Sequence, residues 1–284
     1  MTSPVLRAEA LSTGYPGVRI STGVDLEIEP GSFTALVGAN GSGKSTLLST
    51  LARILPAQGG RVLLDDTDVR GMQRKAFARI VGMLQQHPSA PEGLTAAELV
   101  ARGRYPHRGL FGGFGAADAE AVDMALAATG MTELADQPIG ELSGGQRQRV
   151  WIGMALAQQP RILMLDEPTS FLDLTHQLEV LELLKDRQRA GTTIVAVLHD
   201  LTLAARFADT VVVMTDGAIV RQGTPSEVLT PETLREAFGL DAIVIDDPLT
   251  HTPLVVPRPG GERTAITPQD PSPQQTQGPD AQER

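Results

Sequence analysis

The chain has 284 residues, 41% of them hydrophobic and 20% charged, with a formal net charge of −10. That composition can bury the core of one large domain, or of a core carrying a subdomain. The acidic balance disfavours a nucleic-acid partner, which basic surfaces grip through its phosphates, and the absence of cysteine excludes disulfides, thiolate metal sites and cysteine nucleophiles.

No apolar run approaches the ~18 residues a membrane-spanning helix needs. Met1–Ala10 also lacks the basic-then-apolar pattern of a secretory leader. Work at a membrane would therefore need other chains to cross it. His87, His107, His176, His199 and His251 show no metal-ligand spacing.

From the N-terminus, Val5–Ala10 and Arg19–Ile28 are expected strands, separated by the turn-rich Ser12-Thr13-Gly14-Tyr15-Pro16-Gly17. Phe33–Val37 is an expected buried strand. It runs into Gly38-Ala39-Asn40-Gly41-Ser42-Gly43-Lys44-Ser45, which fits G-x-x-x-x-G-K-[ST], and Ser45–Leu51, including Thr46, opens a helix. The strand–loop–helix setting gives this pattern its meaning. Glycines let the backbone fold around phosphates and aim N–H groups at them, and the helix N-terminus adds positive potential. Lys44 is placed to reach the β- and γ-phosphates, and the Ser45 hydroxyl can ligate Mg²⁺.

Arg61–Leu64 and Ile80–Leu84 follow as strands. Thr95–Arg102, Ala116–Thr129 and Gly144–Ala157 carry helical periodicity, with an exposed loop expected over Gly109–Gly115. Residues 88–160 thus read as a helical subdomain inserted into a strand-and-helix core. Alternation resumes with the strand Arg161–Leu165, an amphipathic helix over Asp173–Arg189, the strand Thr192–Leu198 and the helix Leu201–Phe207. Thr210–Thr215 and Ala218–Arg221 are strands around an Asp216-Gly217 turn. This order predicts a mostly parallel sheet covered by helices. Arg258–Arg284, rich in Pro, Gln and Gly, is expected to be disordered.

Two further motifs carry chemistry. Arg161–Leu165 ends in Asp166-Glu167-Pro168, an apolar strand closed by two carboxylates. There Asp166 could hold Mg²⁺ and Glu167 could polarise an attacking water. Leu142-Ser143-Gly144-Gly145-Gln146 places a capping serine and two glycines before a helix, a second anion-seeking loop.

With that pentapeptide the chain resembles the nucleotide-binding subunit of an ATP-binding cassette (ABC) transporter. The resemblance covers Val5–Pro257, with each family motif present once and in order. It implies an α/β fold: a P-loop NTPase (RecA-like) core, an antiparallel β subdomain and an inserted α-helical subdomain. Residues 1–87 and 161–257 would form the core, with a C-terminal extension at about 231–257. Residues 88–160 would form the insert, and 258–284 the tail.

The resemblance also implies a head-to-tail homodimer with two shared ATP sites. Ser143, Gly144, Gly145 and Gln146 of one copy would close over the γ-phosphate held by the other, with Asp173 of the D-loop communicating across the pair. In that D-loop Phe171 stands where a small residue is commoner. Tyr15 matches the aromatic that stacks on adenine, and Gln86 the Q-loop glutamine, with Gln85 its neighbour in sequence. His199 matches the switch histidine. ATP and Mg²⁺ are the implied cofactors.

The segments Glu92–Thr95, Gly103–Pro106, Phe114–Asp118, Gly223–Thr230 and Asp247–Thr250 resemble those of the iron–siderophore, haem and cobalamin importer ATPases. That likeness implies a peripheral subunit on the cytoplasmic face of the inner membrane. It would power a permease dimer, fed by an external binding protein, with ferric siderophore the first expected cargo, haem the second and vitamin B12 the third. The alternatives are a soluble non-transport ABC ATPase and a module that binds ATP without cleaving it.

Overall fold

The computed structural model describes residues 4–86, 88–89, 91–109, 113–170 and 172–259. The chain begins with β1 (Leu6–Tyr15), β2 (Val18–Ile28), β3 (Phe33–Gly38), α1 (Lys44–Leu51), β4 (Gly59–Leu64), β5 (Thr67–Asp68), α2 (Arg74–Ala78) and β6 (Val81–Leu84). Three helices follow, α3 (Ala96–Arg102), α4 (Ala116–Ala128) and α5 (Gly144–Ala157). Alternation returns with β7 (Ile162–Asp166), α6 (Leu174–Arg189), β8 (Thr193–Val197), α7 (Leu201–Phe207), β9 (Thr210–Thr215) and β10 (Ala218–Gly223). The described chain closes with α8 (Pro225–Val228), α9 (Pro231–Phe238) and the hairpin β11 (Ala242–Asp246) and β12 (Pro253–Pro257).

The central sheet has the order β10-β9-β3-β8-β7-β6, parallel except for β10. Its inner strands are predominantly apolar because both faces are covered. β3, β7 and β8 are buried at every position. Alternate residues point to opposite faces. Phe33, Ala35, Val37, Leu163 and Leu165 pack toward α3, α5, α6 and α7, whereas Leu36, Ile162 and Met164 pack toward α1 and the sheet β2-β1-β4-β5.

The first hairpin departs from expectation. β1 runs on through Ser12-Thr13-Gly14-Tyr15, so only Pro16-Gly17 turns, and Thr13 pairs with Ser21, Gly14 with Arg19 and Tyr15 with Val18. Ser12 and Thr13 are buried although polar, and their polarity is what made the composition read as a turn. The other expected helices and strands appear with no end shifted by more than two residues, while β5, α2, α8, α9 and the β11–β12 hairpin were not anticipated as elements. In the expected loop, Gly109 and Gly113-Phe114-Gly115 are irregular and exposed, and residues 110–112 lie outside the described residues. Of the expected tail, only Arg258 and Pro259 lie within them.

Arg104 joins the helices α3 to α5. It follows α3, is 5% exposed, and donates to Asp118 Oδ1 at 2.9 Å, the Ala157 carbonyl at 2.8 Å and Gln159 Oε1 at 3.0 Å. Removing one partner of a buried pair strands the other. Arg104→Met should therefore lower the unfolding free energy by about 3 kcal/mol in a urea titration; a loss under ~1 kcal/mol would assign the network no structural weight.

Candidate functional site

Four adjacent strands deliver polar groups to one edge of the sheet. At the C-terminal end of β3 stand Gly38 and Lys44, after β8 comes His199, β7 ends in Asp166 and Glu167, and Gln86 follows β6. Ligands of open α/β sheets bind at such carboxyl ends. A cleft of ≈ 600 Å³ lies there, lined by Ile20, Asn40, Gly41, Gly43, Lys44, Ser45, Thr46, Gln86, Glu167 and His199.

Glycine is required at two points of the loop. A Cβ on Gly38 would stand 2.2 Å from the Met214 carbonyl oxygen. Gly43 caps α1 at φ +98°, where a Cβ would press on Ile20 at 3.0 Å. The first N–H groups of α1 have no intrahelical acceptor, so this end of the cleft is built for an anion.

Lys44 is 5% exposed and donates to the carbonyls of Gly38 at 3.0 Å and Ala39 at 2.9 Å, and to Ser42 Oγ at 3.3 Å. Burial holds its pKa below the ordinary lysine value, opposed by the charges of Glu167 and Asp166. Ser45 Oγ donates to Asp166 Oδ1 at 2.8 Å. Burial lifts the Asp166 carboxyl above its usual range; the Ser45 hydrogen bond opposes this and the Glu167 charge adds to it.

Glu167 is the most constrained group of the site. It holds φ +52°, unusual for a residue with a side chain. His199 Nε2 lies 2.6 Å from its Oε1, and Ser170 Oγ donates to its Oε2 at 2.8 Å. Burial pushes its carboxyl up, but the hydrogen bonds from His199, Ser170 and Gln86, with the His199 charge, hold it below the usual carboxylate range.

Gln86 turns into this cleft, whereas Gln85 lines a neighbouring groove with Leu99, Arg102, Trp151 and Met154. Ile20, from the strand returning over the loop, is a lining residue that sequence reasoning missed. Tyr15 ends β1 half-exposed and does not line the cleft.

The remaining candidates point elsewhere. Ser143 caps α5 through a reciprocal pair with Gln146: the Gln146 amide donates to Ser143 Oγ at 3.2 Å and the Ser143 amide to Gln146 Oε1 at 2.9 Å. Ser143 and Gly144 are exposed, and Gly145 and Gln146 half-buried. Asp173 caps α6, its Oδ1 accepting from the His176 amide at 3.0 Å and lying 2.7 Å from His176 Nδ1. These bonds hold its carboxyl below the usual range. None of these residues reaches the cleft of its own chain. Phe171 lies outside the described residues.

Among the described residues no group of three or more His, Cys, Asp or Glu could hold a metal ion. Ser45 Oγ and Asp166 Oδ1, 2.8 Å apart at the start of α1, are hard oxygens of the kind Mg²⁺ takes. No helix among the described residues is long and apolar enough to cross a membrane.

A family model described as ABC transporter matches residues 21–170. The ferric enterobactin transport ATP-binding protein FepC of Escherichia coli K12 is 48% identical, over 89% of this chain and 93% of its own. The petrobactin import ATP-binding protein FpuD of Bacillus anthracis is 47% identical, over 91% of this chain and 95% of its own. Among solved structures, an inward-facing protein described as of the metal-chelate ABC transporter type superposes with a TM-score of 0.76 at 27% identity, covering 89% of this chain and 96% of its own. A dimeric bacterial ABC transporter cassette superposes at 0.69 and 27% identity, over 77% and 98%.

Proposed function

The chain belongs to the ABC transporter family as an ATP-binding, ATP-hydrolysing subunit, and from that premise we propose that it powers import of an iron chelate through a separate permease. Ferric siderophore is the first cargo, supported by the relatives at 48% and 47% identity; haem is second and vitamin B12 third. The observation that carries the chemistry is the ionised Glu167, fixed by His199 and Ser170 in the cleft that Lys44 and Ser45 line.

In this reading Lys44 leaves its carbonyl partners for the β- and γ-phosphates, and the loop amides of residues 38–46 replace phosphate hydration. The base extends past Ile20 toward Tyr15. Ser45, Asp166 and Gln86 hold Mg²⁺, which when bound neutralises charge developing on the transferred phosphoryl group. Glu167 accepts a proton from the attacking water, and His199 keeps that carboxylate aimed while facing the terminal phosphate.

Two copies pair head to tail. Ser143, Gly144, Gly145, Gln146 and Asp173, turned away from their own cleft, complete the partner's. The pair sits on the cytoplasmic side of the inner membrane beneath a permease dimer, and an external binding protein delivers the cargo. Residues 1–87 and 161–257 form the core, with 231–257 as its extension, and residues 88–160 the insert. Grooves beside Gln85 and along α3, near Arg102 and Tyr105, receive the permease.

The test is affinity capture of the full chain from membranes, paired with growth of a deletion strain on single iron sources. A co-purifying multi-spanning permease and loss of growth on a ferric siderophore are expected. A soluble assembly without a permease would favour the non-transport alternative. Retained siderophore growth with lost haem use would move the cargo assignment to haem.

A further inference from the structure

The described residues between Glu167 and α6 form a segment held from two sides. Gln148, in the second turn of α5 and half-buried, donates from Nε2 to the Pro168 carbonyl at 3.0 Å. Gln177 on α6 donates to the carbonyls of Thr169 at 3.3 Å and Leu172 at 3.0 Å. Within the segment, Ser170 fixes Glu167 Oε2. The φ of +52° at Glu167 persists only where its surroundings hold it. The N-terminal turn of α5 touches the same segment again. A Cβ on Gly145 would lie 3.5 Å from Leu172 Cδ2 and 4.0 Å from His176 Cγ, which is contact without overlap.

We propose that Gln148 is a positioning residue that couples the two ATP sites of the paired cassettes. It acts as a strut between the helix that caps the partner's nucleotide and the turn that aims Glu167 at its own. This rests on the head-to-tail pair of the proposed function. When Ser143 and Gly145 engage the partner's γ-phosphate, α5 shifts as a rigid element. The Gln148 amide passes that shift to the Pro168 carbonyl, and the peptide passes it to the φ and ψ of Glu167. Packed elements with little slack move together, and two sites that bias one such element are coupled reciprocally. Nothing in this route touches Lys44 or Ser45, so nucleotide affinity at a chain's own loop should not depend on it.

Gln148→Glu tests the strut, because it keeps the side chain's size and removes the donor. The full chain is assayed for ATPase rate against ATP concentration with Mg²⁺. Affinity for a fluorescent ATP analogue and the melting temperature are measured alongside. The wild type should give a Hill coefficient above one, as two communicating sites allow. Gln148→Glu should bring that coefficient to one and lower maximal turnover about three- to tenfold, the range a single hydrogen bond supplies. Affinity and melting temperature should hold. Should Gln148→Glu melt early, Gln148→Lys, which keeps a donor, and Gln148→Met, which does not, give the same comparison, with only the lysine variant remaining sigmoidal. A sigmoidal wild type matched by an equally sigmoidal Gln148→Glu overturns the strut alone. A wild type with a Hill coefficient of one overturns the strut together with the paired sites it rests on.

Discussion

Glu167→Gln is expected to abolish steady-state ATP hydrolysis while leaving nucleotide binding intact. The substitution removes the carboxylate that His199 and Ser170 hold in the cleft. A positioned general base contributes about 10²- to 10⁴-fold to rate, so phosphate release should fall by about that factor. The fold should tolerate the change. Glutamine keeps the acceptor that Ser170 Oγ uses and is no bulkier at φ +52°. ATP affinity should stay within about threefold, because Lys44, Ser45 and the loop amides are untouched. With hydrolysis blocked, ATP should accumulate on the protein as uncleaved nucleotide. Turnover near the wild-type rate would take the proton-accepting role away from Glu167 and pass it to solvent or to His199.

Lys44→Ala should instead remove nucleotide binding itself. Lys44 is almost fully buried, and its ammonium is held beside the loop by two carbonyls and a hydroxyl. Burial alone disfavours its charge, so the site carries that cost in advance and recovers it when phosphates arrive. Losing a buried, hydrogen-bonded charge contact costs about 2–4 kcal/mol, or roughly thirty- to a thousandfold in ATP affinity. Calorimetric titration with the ATP–Mg²⁺ complex reads this directly. An affinity within threefold of wild type would mean that the loop amides hold the phosphates unaided. The two variants therefore separate along the reaction, one losing chemistry and the other losing binding.

The central sheet was legible because its physics is local. Strands such as Ile162–Asp166 and Thr193–Val197 are buried on both faces and read as apolar runs with one polar end each. The phosphate loop was legible for a related reason, since Gly38 and Gly43 stand where a side chain would collide. The convergence of Lys44, Asp166, Glu167, His199 and Gln86 followed from strand order. Asp166, Glu167, His199 and Gln86 sit at or just after the carboxyl ends of three neighbouring strands, and Lys44 opens α1 beyond the loop that follows the fourth.

What escaped the sequence depends on contacts between distant segments. Ile20 lines the cleft only because the first hairpin folds back over the loop, where the Gly217 amide also donates to the Ser42 carbonyl at 3.1 Å. Ser12 and Thr13 look like turn residues and are buried strand residues, Thr13 paired with Ser21 across that hairpin. Between the adjacent glutamines the family resemblance favours Gln86 over Gln85. The chain's turn after Leu84 sends one into the cleft and the other into the groove beside it. Ser143 and Asp173 are exposed helix caps in their own chain, and the role proposed for them needs a second copy, so their assignment rests on family resemblance rather than on pattern.

In the proposed pair each nucleotide is shared between two copies of the chain. Sedimentation equilibrium of Glu167→Gln with ATP and Mg²⁺ tests it most directly, compared with the same protein carrying Ser143→Arg. The first should shift from one copy to two when ATP is added, and the second should remain a single copy while binding ATP as tightly as its parent. A single copy in both, with ATP bound, would contradict the shared site, as would a pair that survives Ser143→Arg unchanged.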